Sequence, residues 1–190
     1  SEKRLEVTAY FEVALNTQAN DEAHPAFQNL FVQTEYLPES GIVLVRRRPR
    51  DPNQCSAHMA CRFIGPAGPV APVQFDTSRE ACLGRGRSVR KPLHLEGGRA
   101  LGSTEGNILD PAVCMRTTVV LPPMGSASLT FTVACGWDRQ KALAASDALA
   151  GEGAVDKAFE MAWTQEQANM RYLGVKPNQL RFFSAMTSHV

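Results

Sequence analysis

The sequence has 190 residues, 44% hydrophobic and 21% charged, with a formal net charge of +1, which gives a globular chain long enough to build a sizeable core. The near-neutral balance excludes a general nucleic-acid or membrane-surface binder, which needs a sustained basic excess. No run of about 18 apolar residues occurs, so nothing reads as a membrane span, and the charged opening Ser1-Glu2-Lys3-Arg4 is not a signal peptide.

The first element is a strand. Leu5, Val7, Ala9, Phe11, Val13 and Leu15 alternate with Arg4, Glu6, Thr8, Tyr10 and Glu12, a period of two with one apolar and one wet face. Such a strand at the very start predicts a chain that continues a larger protein. Asn16 to Pro25 is polar and reads as turns. Leu30 to Leu37 and Ile42 to Arg48 read as a hairpin around Pro38 and Gly41, with Phe27 and Phe31 as anchors. The basic run Arg46 to Arg50 is either a solvated strand end or a contact for an anion or sugar phosphate.

Ala57 to Ile64 is a further strand, and the Pro/Gly-rich stretch Gly65 to Pro72 is a loop. Asp76 to Leu83 predicts one or two helical turns, with Asp76 or the Thr77-Ser78-Arg79-Glu80 box as the cap. Gly84 to Asp110 is long and irregular, as functional loops often are. Val113 to Leu121 and Leu129 to Cys135 each alternate, and Pro122 to Gly125 turns between them, which predicts a second antiparallel hairpin. After Gly136 the period changes. Asp138 caps an Ala-rich helix to about Ala150. Val155, Phe159, Trp163 and Met170 make one stripe of a second helix that ends near Gly174. Pro177 sits at the first turn of a third helix carrying Leu180, Phe183 and Met186. Strands first and helices last predict an antiparallel assembly with helices segregated to one end. The terminal helices are expected to pack on the sheet or on another chain. The Gly151/Gly153 region is the only shift of composition and marks a candidate boundary, with residues 1–150 carrying the strands and a closing helix and 151–190 carrying further helices.

No catalytic residue emerges. The nucleophile elbow is absent, and His24, His58, His94 and His189 lie in no recognisable signature. The five cysteines, Cys55, Cys61, Cys82, Cys114 and Cys135, lack zinc or redox spacing and read as reduced thiols, with Cys135 facing inward beside Phe131 and Val133. Gly84-Arg85-Gly86-Arg87 lacks the phosphate-loop spacing. No cofactor or metal is expected. The notable feature is a loop dense in cations, Arg85, Arg87, Arg90, Lys91 and Arg99. It is either a solvated basic loop or one that faces a ligand or an interface, because guanidinium groups offer planar, bidentate donors.

Four stretches carry a family resemblance. His24-Pro25-Ala26-Phe27 leads into Leu30 to Tyr36; Arg47-Arg48-Pro49-Arg50 follows the next strand; Ser78 to Ser88 forms a loop; and Leu109-Asp110-Pro111 precedes a strand. In that order they resemble the family 94 glycoside phosphorylases, once called glycosyltransferase 36 type. The variant looks closer to the phosphorylase-like region of cyclic β-1,2-glucan synthases than to stand-alone cellobiose or chitobiose phosphorylases. Two departures stand out: Ser78 replaces an acid of the family loop and Cys82 an aromatic.

The resemblance implies a mainly β fold, the later part of a galactose-mutarotase-like supersandwich of antiparallel strands followed by linker helices. The (α/α)6 barrel with the general acid would lie outside this chain. It implies a non-catalytic carbohydrate-binding and dimerising region that helps shape an acceptor-sugar site, within a parent glycosyltransferase or glycoside phosphorylase. Arg87, with Arg85 beside it, would be the substrate-binding residue. The implied partners are a glucan or oligosaccharide, the barrel and a second copy of the chain, with no nucleic acid. The implied location is the cytoplasm, alone or within a membrane-anchored parent. A free-standing carbohydrate-binding module and a purely structural oligomerisation domain are the alternatives.

Overall fold

A computed structural model describes residues 1–51, 54, 56–71, 73–176 and 179–187. Cys55, Pro72, Pro177 and His189, to which the sequence reading gave roles, lie outside the described residues. The chain divides into two compact units, Ser1–Gly151 and Glu152–Val190.

The first unit is an antiparallel two-sheet sandwich. Strands β1 (Lys3–Glu12), β6 (Gln74–Ser78) and β8 (Pro111–Leu121) form one sheet in the order β1-β8-β6. The other sheet contains β2 (Val32–Leu37), β3 (Ile42–Arg47), β4 (His58–Gly65), β5 (Gly68–Pro69), β7 (Gly106–Asn107) and β9 (Thr130–Gly136). It runs β5-β4-β3-β2-β7, with β9 also paired to β4. Alternation decides which side chains meet between the sheets. Val43, Val45, Cys61 and Phe63 point inward from the second sheet, and Phe75, Val113 and Met115 from the first, and all are buried in one cluster. Burying a side chain of valine size or larger contributes about 1.5–3 kcal/mol, so this face holds the sandwich closed. The opposite face of the second sheet carries Ile42, Leu44 and Ala60, covered by Ala142 and Leu143 of α4 (Arg139–Leu149).

The β2–β3 hairpin forms in full register, from Val32 opposite Arg47 to Leu37 opposite Ile42. The second expected hairpin does not form. β8 pairs with β1 and β6, whereas β9 pairs with β4, so the turn at Pro122–Gly125 leads from one sheet to the other. Alternation fixes a strand's faces but not its neighbour, and the eight residues between β8 and β9 exceed the tight turns that dictate pairing.

Two further differences are local. The polar segment after β1 forms short helices, α1 (Gln18–Ala23) and α2 (Pro25–Asn29). Asp76 and Thr77 belong to β6, and the cap of α3 (Arg79–Leu83) is Ser78, whose hydroxyl accepts from the Ala81 N–H at 3.3 Å.

Cys135 is exposed where an inward position was expected. It shares the inner face with Met59, its register partner, but β9 is an edge strand and the three-stranded sheet leaves this end uncovered, as Val133 at 45% exposure also shows. Cys61, Cys82 and Cys114 are buried free thiols.

In the second unit, α5 (Ala154–Tyr172) is followed by α6 (Leu180–Thr187). α5 closes as a Schellman motif: Gly174 donates to the Arg171 carbonyl at 3.2 Å and Val175 to the Met170 carbonyl at 2.9 Å. None of its side chains is buried. The stripe expected to be covered is open, with Phe159 72% and Trp163 64% exposed.

Candidate functional site

The cation-dense loop lies over the outer face of the three-stranded sheet, and buried polar residues hold it there. Arg116 on β8 is the principal anchor. Its side chain is 2% exposed. The guanidinium donates to the His94 carbonyl, to the Arg99 carbonyl at 2.7 Å and to Thr8 Oγ1 at 3.1 Å, and Glu6 lies 3.6 Å away. One planar fork thereby grips two loop carbonyls and β1 together.

His94, in a single 3-10 turn (Leu93–Leu95), is a second anchor. Its Nδ1 lies 2.9 Å from the Cys82 carbonyl. A carbonyl only accepts, so Nδ1 carries the proton. The imidazole stacks on Tyr10, with centroids 6.4 Å apart. Asp76 is the third. It is 1% exposed and accepts from the Ser78 N–H and Gly102 N–H, both at 2.9 Å, and from Thr104 Oγ1 at 3.2 Å. Beneath the loop, a hydrogen bond with Cys114 and burial push the Cys82 thiol above its ordinary range, which disfavours the thiolate.

Arg87 stands on this anchored loop. Gly84 takes φ 88°, and the Arg87 N–H closes a turn on its carbonyl at 3.2 Å. A Cβ on Gly84 would stand 2.9 Å from Arg87 Cδ. The close approach that Gly84 permits is therefore filled by the Arg87 side chain itself, whereas Gly86 faces open space. Arg87 Nη1 meets Glu96 Oε1 at 2.6 Å, with the two side chains 35% and 43% exposed. Arg85, Arg90, Lys91 and Arg99 are exposed. The structure thus places Arg87 in a tether that spans the loop and Arg85 on the open turn beside it.

Sequence reasoning missed the residues that position the loop. Arg116 sat in an alternating strand with no sign that its face was covered, and Asp76 read as a cap. A second cluster went unnoticed at the mouth of α3. Arg79 Nε donates to Glu12 at 2.8 Å and its Nη1 lies 3.7 Å from Asp110, Tyr10 donates to Glu12 at 3.2 Å and Asn29 to Asp110 at 3.2 Å. Burial holds the Asp110 carboxyl above its usual range. In the basic run, Arg47 is buried against Gln28. Arg47, Arg48 and Arg50 surround the Phe27–Phe31 pair at 5.3–5.6 Å from the rings.

Comparison with known proteins agrees with this architecture. Residues 1–151 match the glycosyl hydrolase 94 supersandwich domain family. The chain is also 29% identical, over 182 residues and 96% of its length, to the cyclic beta-(1,2)-glucan synthase NdvB of Rhizobium meliloti (strain 1021). It spans 6% of that relative's own length. No described helix is long and apolar enough to cross a membrane. The family match and the paired antiparallel sheets cover the same stretch of sequence, and the chain belongs to the glycosyl hydrolase 94 supersandwich family.

Proposed function

We propose that this chain is a non-catalytic, carbohydrate-binding sandwich region of a glucan-handling enzyme, a glycoside phosphorylase or cyclic β-1,2-glucan synthase. Its loop of residues 84–99 helps shape the acceptor-sugar site through Arg87 and Arg85. The supporting observation is the way Arg87 is held. The buried guanidinium of Arg116 fixes two carbonyls of the loop, while Arg87 is held at a turn with a third of its side chain open to solvent. A donor fork fixed in position yet accessible suits neighbouring sugar hydroxyls, because less motion is lost on binding.

The test is Arg87→Ala in a full-length enzyme that carries this region. Losing a hydrogen bond from a charged donor costs roughly 1.5–3 kcal/mol, so kcat/KM for the acceptor should fall about ten- to a hundred-fold, with donor use unchanged. Thermal stability should move little, because exposed ion pairs contribute about 0–1 kcal/mol. Glu96→Gln weakens the tether to a hydrogen bond with a neutral acceptor but keeps the fork, and should cost less acceptor use than Arg87→Ala. A lowered melting temperature with full acceptor use in Arg87→Ala would make the residue a structural anchor and end the proposal.

A further inference from the structure

The second sheet carries a polar cleft on the side away from the arginine loop. Its register sets four side chains in one row across four strands. Asn107 on β7 pairs with Gln33 on β2, Gln33 with Arg46 on β3, and Arg46 with His58 on β4. The row lines a cleft of roughly 400 Å³, and Glu35 and Arg139 form its second wall. Arg139, the first residue of α4, grips Glu35 through both guanidinium ends at 2.6 and 2.9 Å.

The row is wired in one direction. Arg46 Nε donates to Gln33 Oε1 at 2.8 Å, and Gln33 Nε2 donates to Asn107 Oδ1 at 2.6 Å. This orients both amides. It leaves the Asn107 NH2 and the terminal nitrogens of Arg46 as donors with no protein partner among the described residues. His58 Nδ1 lies 3.0 Å from the Ser56 carbonyl, so Nδ1 carries the proton and neutral His58 keeps Nε2 as an acceptor. The cleft therefore holds fixed donors and a fixed acceptor on planar groups, at the strand spacing of about 4.8 Å. Four strands give a row of about 14 Å, longer than one hexose.

We infer that this cleft is a second glycan-binding site, taking a segment of linear glucan across the strands at a distance from the Arg87 loop. Charge favours a neutral polyhydroxyl ligand over a polyanion: Arg139 is neutralised by Glu35, which leaves Arg46, among the described residues lining the cleft, as the arginine without a carboxylate partner. Planar amide and guanidinium groups each engage adjacent hydroxyls in pairs, and side chains already held by one another lose little freedom on binding. The choice of glucan as ligand rests on the function proposed above, whereas the location of the cleft does not.

The test is an NMR titration of the full 190-residue chain with linear β-1,2-glucan oligosaccharides, and separately with inorganic phosphate. Saturable shifts are expected at the side-chain amides of Gln33 and Asn107 and the Nε–H groups of Arg46 and Arg139. Arg46→Ala and Asn107→Ala, at exposed positions, should each weaken glucan binding about ten-fold or more while leaving the spectrum folded. Arg87→Ala should leave these shifts intact. Glucan shifts that are absent, or confined to the Arg87 loop, overturn the inference without touching the proposed function. So does saturation by phosphate and not by glucan, which makes the cleft an anion site. Cleft binding alongside an Arg87→Ala enzyme with undiminished acceptor use would sink the proposed function and leave this site standing.

Discussion

Glu96 reports on the loop tether through its own titration. The hydrogen bond from Arg87 holds its carboxyl below the ordinary glutamate range. A depressed folded-state value means that the tether contributes above the unfolded pKa and is lost as pH falls through the folded one. NMR titration of the Glu96 carboxyl should give a midpoint below that of free glutamate, and Arg87→Ala should raise it to the ordinary value. An unchanged midpoint in the variant would assign the shift to another cause. Glu96 was invisible in sequence for a simple reason. The loop's cations stand out by density, but their partner is a single carboxylate nine residues on, brought back by a turn at Pro92–Leu95. Arg85 and Arg87 were legible as candidates because a cation-dense irregular stretch is unusual. Arg116, which fixes their loop, looks in sequence like any polar residue on the wet face of a strand.

The helix α4 depends on one position at the end of β9. A Cβ on Gly136 would stand 2.5 Å from the Ala142 N–H nitrogen and 2.9 Å from Lys141. Backbone cannot yield as a flexible side chain can, so the helix would have to lift from the sheet. Gly136→Ala should destabilise the sandwich by about 1–3 kcal/mol, read as an earlier urea midpoint at an unchanged slope. A neutral effect would mean that α4 shifts freely. The cap of α4 was readable, since Asp138 accepts from the Lys141 N–H at 2.8 Å as its type and place implied. The need for glycine two residues earlier was not, because it follows from how closely helix and sheet approach. The pairing of β8 and β9 escaped for a related reason. Alternation reports that a strand has two faces, and both strands show it clearly, but the neighbours are chosen by side chains more than thirty residues away in sequence.

At the scale of the whole chain, the sandwich of the first unit holds the buried apolar cluster and α5 holds no buried residue. Removing residues 152–190 should therefore leave the melting temperature of the sandwich within about 3 °C, a shift of roughly 1 kcal/mol or less for a domain of this size. Calorimetry checks it, and a large drop would show that the C-terminal helices support the sandwich. The class of fold was legible, because period-two stretches precede period-3.6 stretches and the physics of burial leaves few arrangements for them. The topology of the three-stranded sheet bears on synthesis. β8 is its central strand, and Thr8 on β1 meets Arg116 on β8 across 108 residues of sequence. At about 5–20 residues per second on the ribosome, β1 waits roughly 5–20 s for β8, its neighbour among the described strands. During that interval Leu5, Val7 and Phe11 stand on a strand that lacks its β8 partner, the kind of surface chaperones recognise and nascent chains stick by. The last partner to be made is the one that holds this sheet together, so a pause or truncation before Pro111 leaves both flanking strands without their centre.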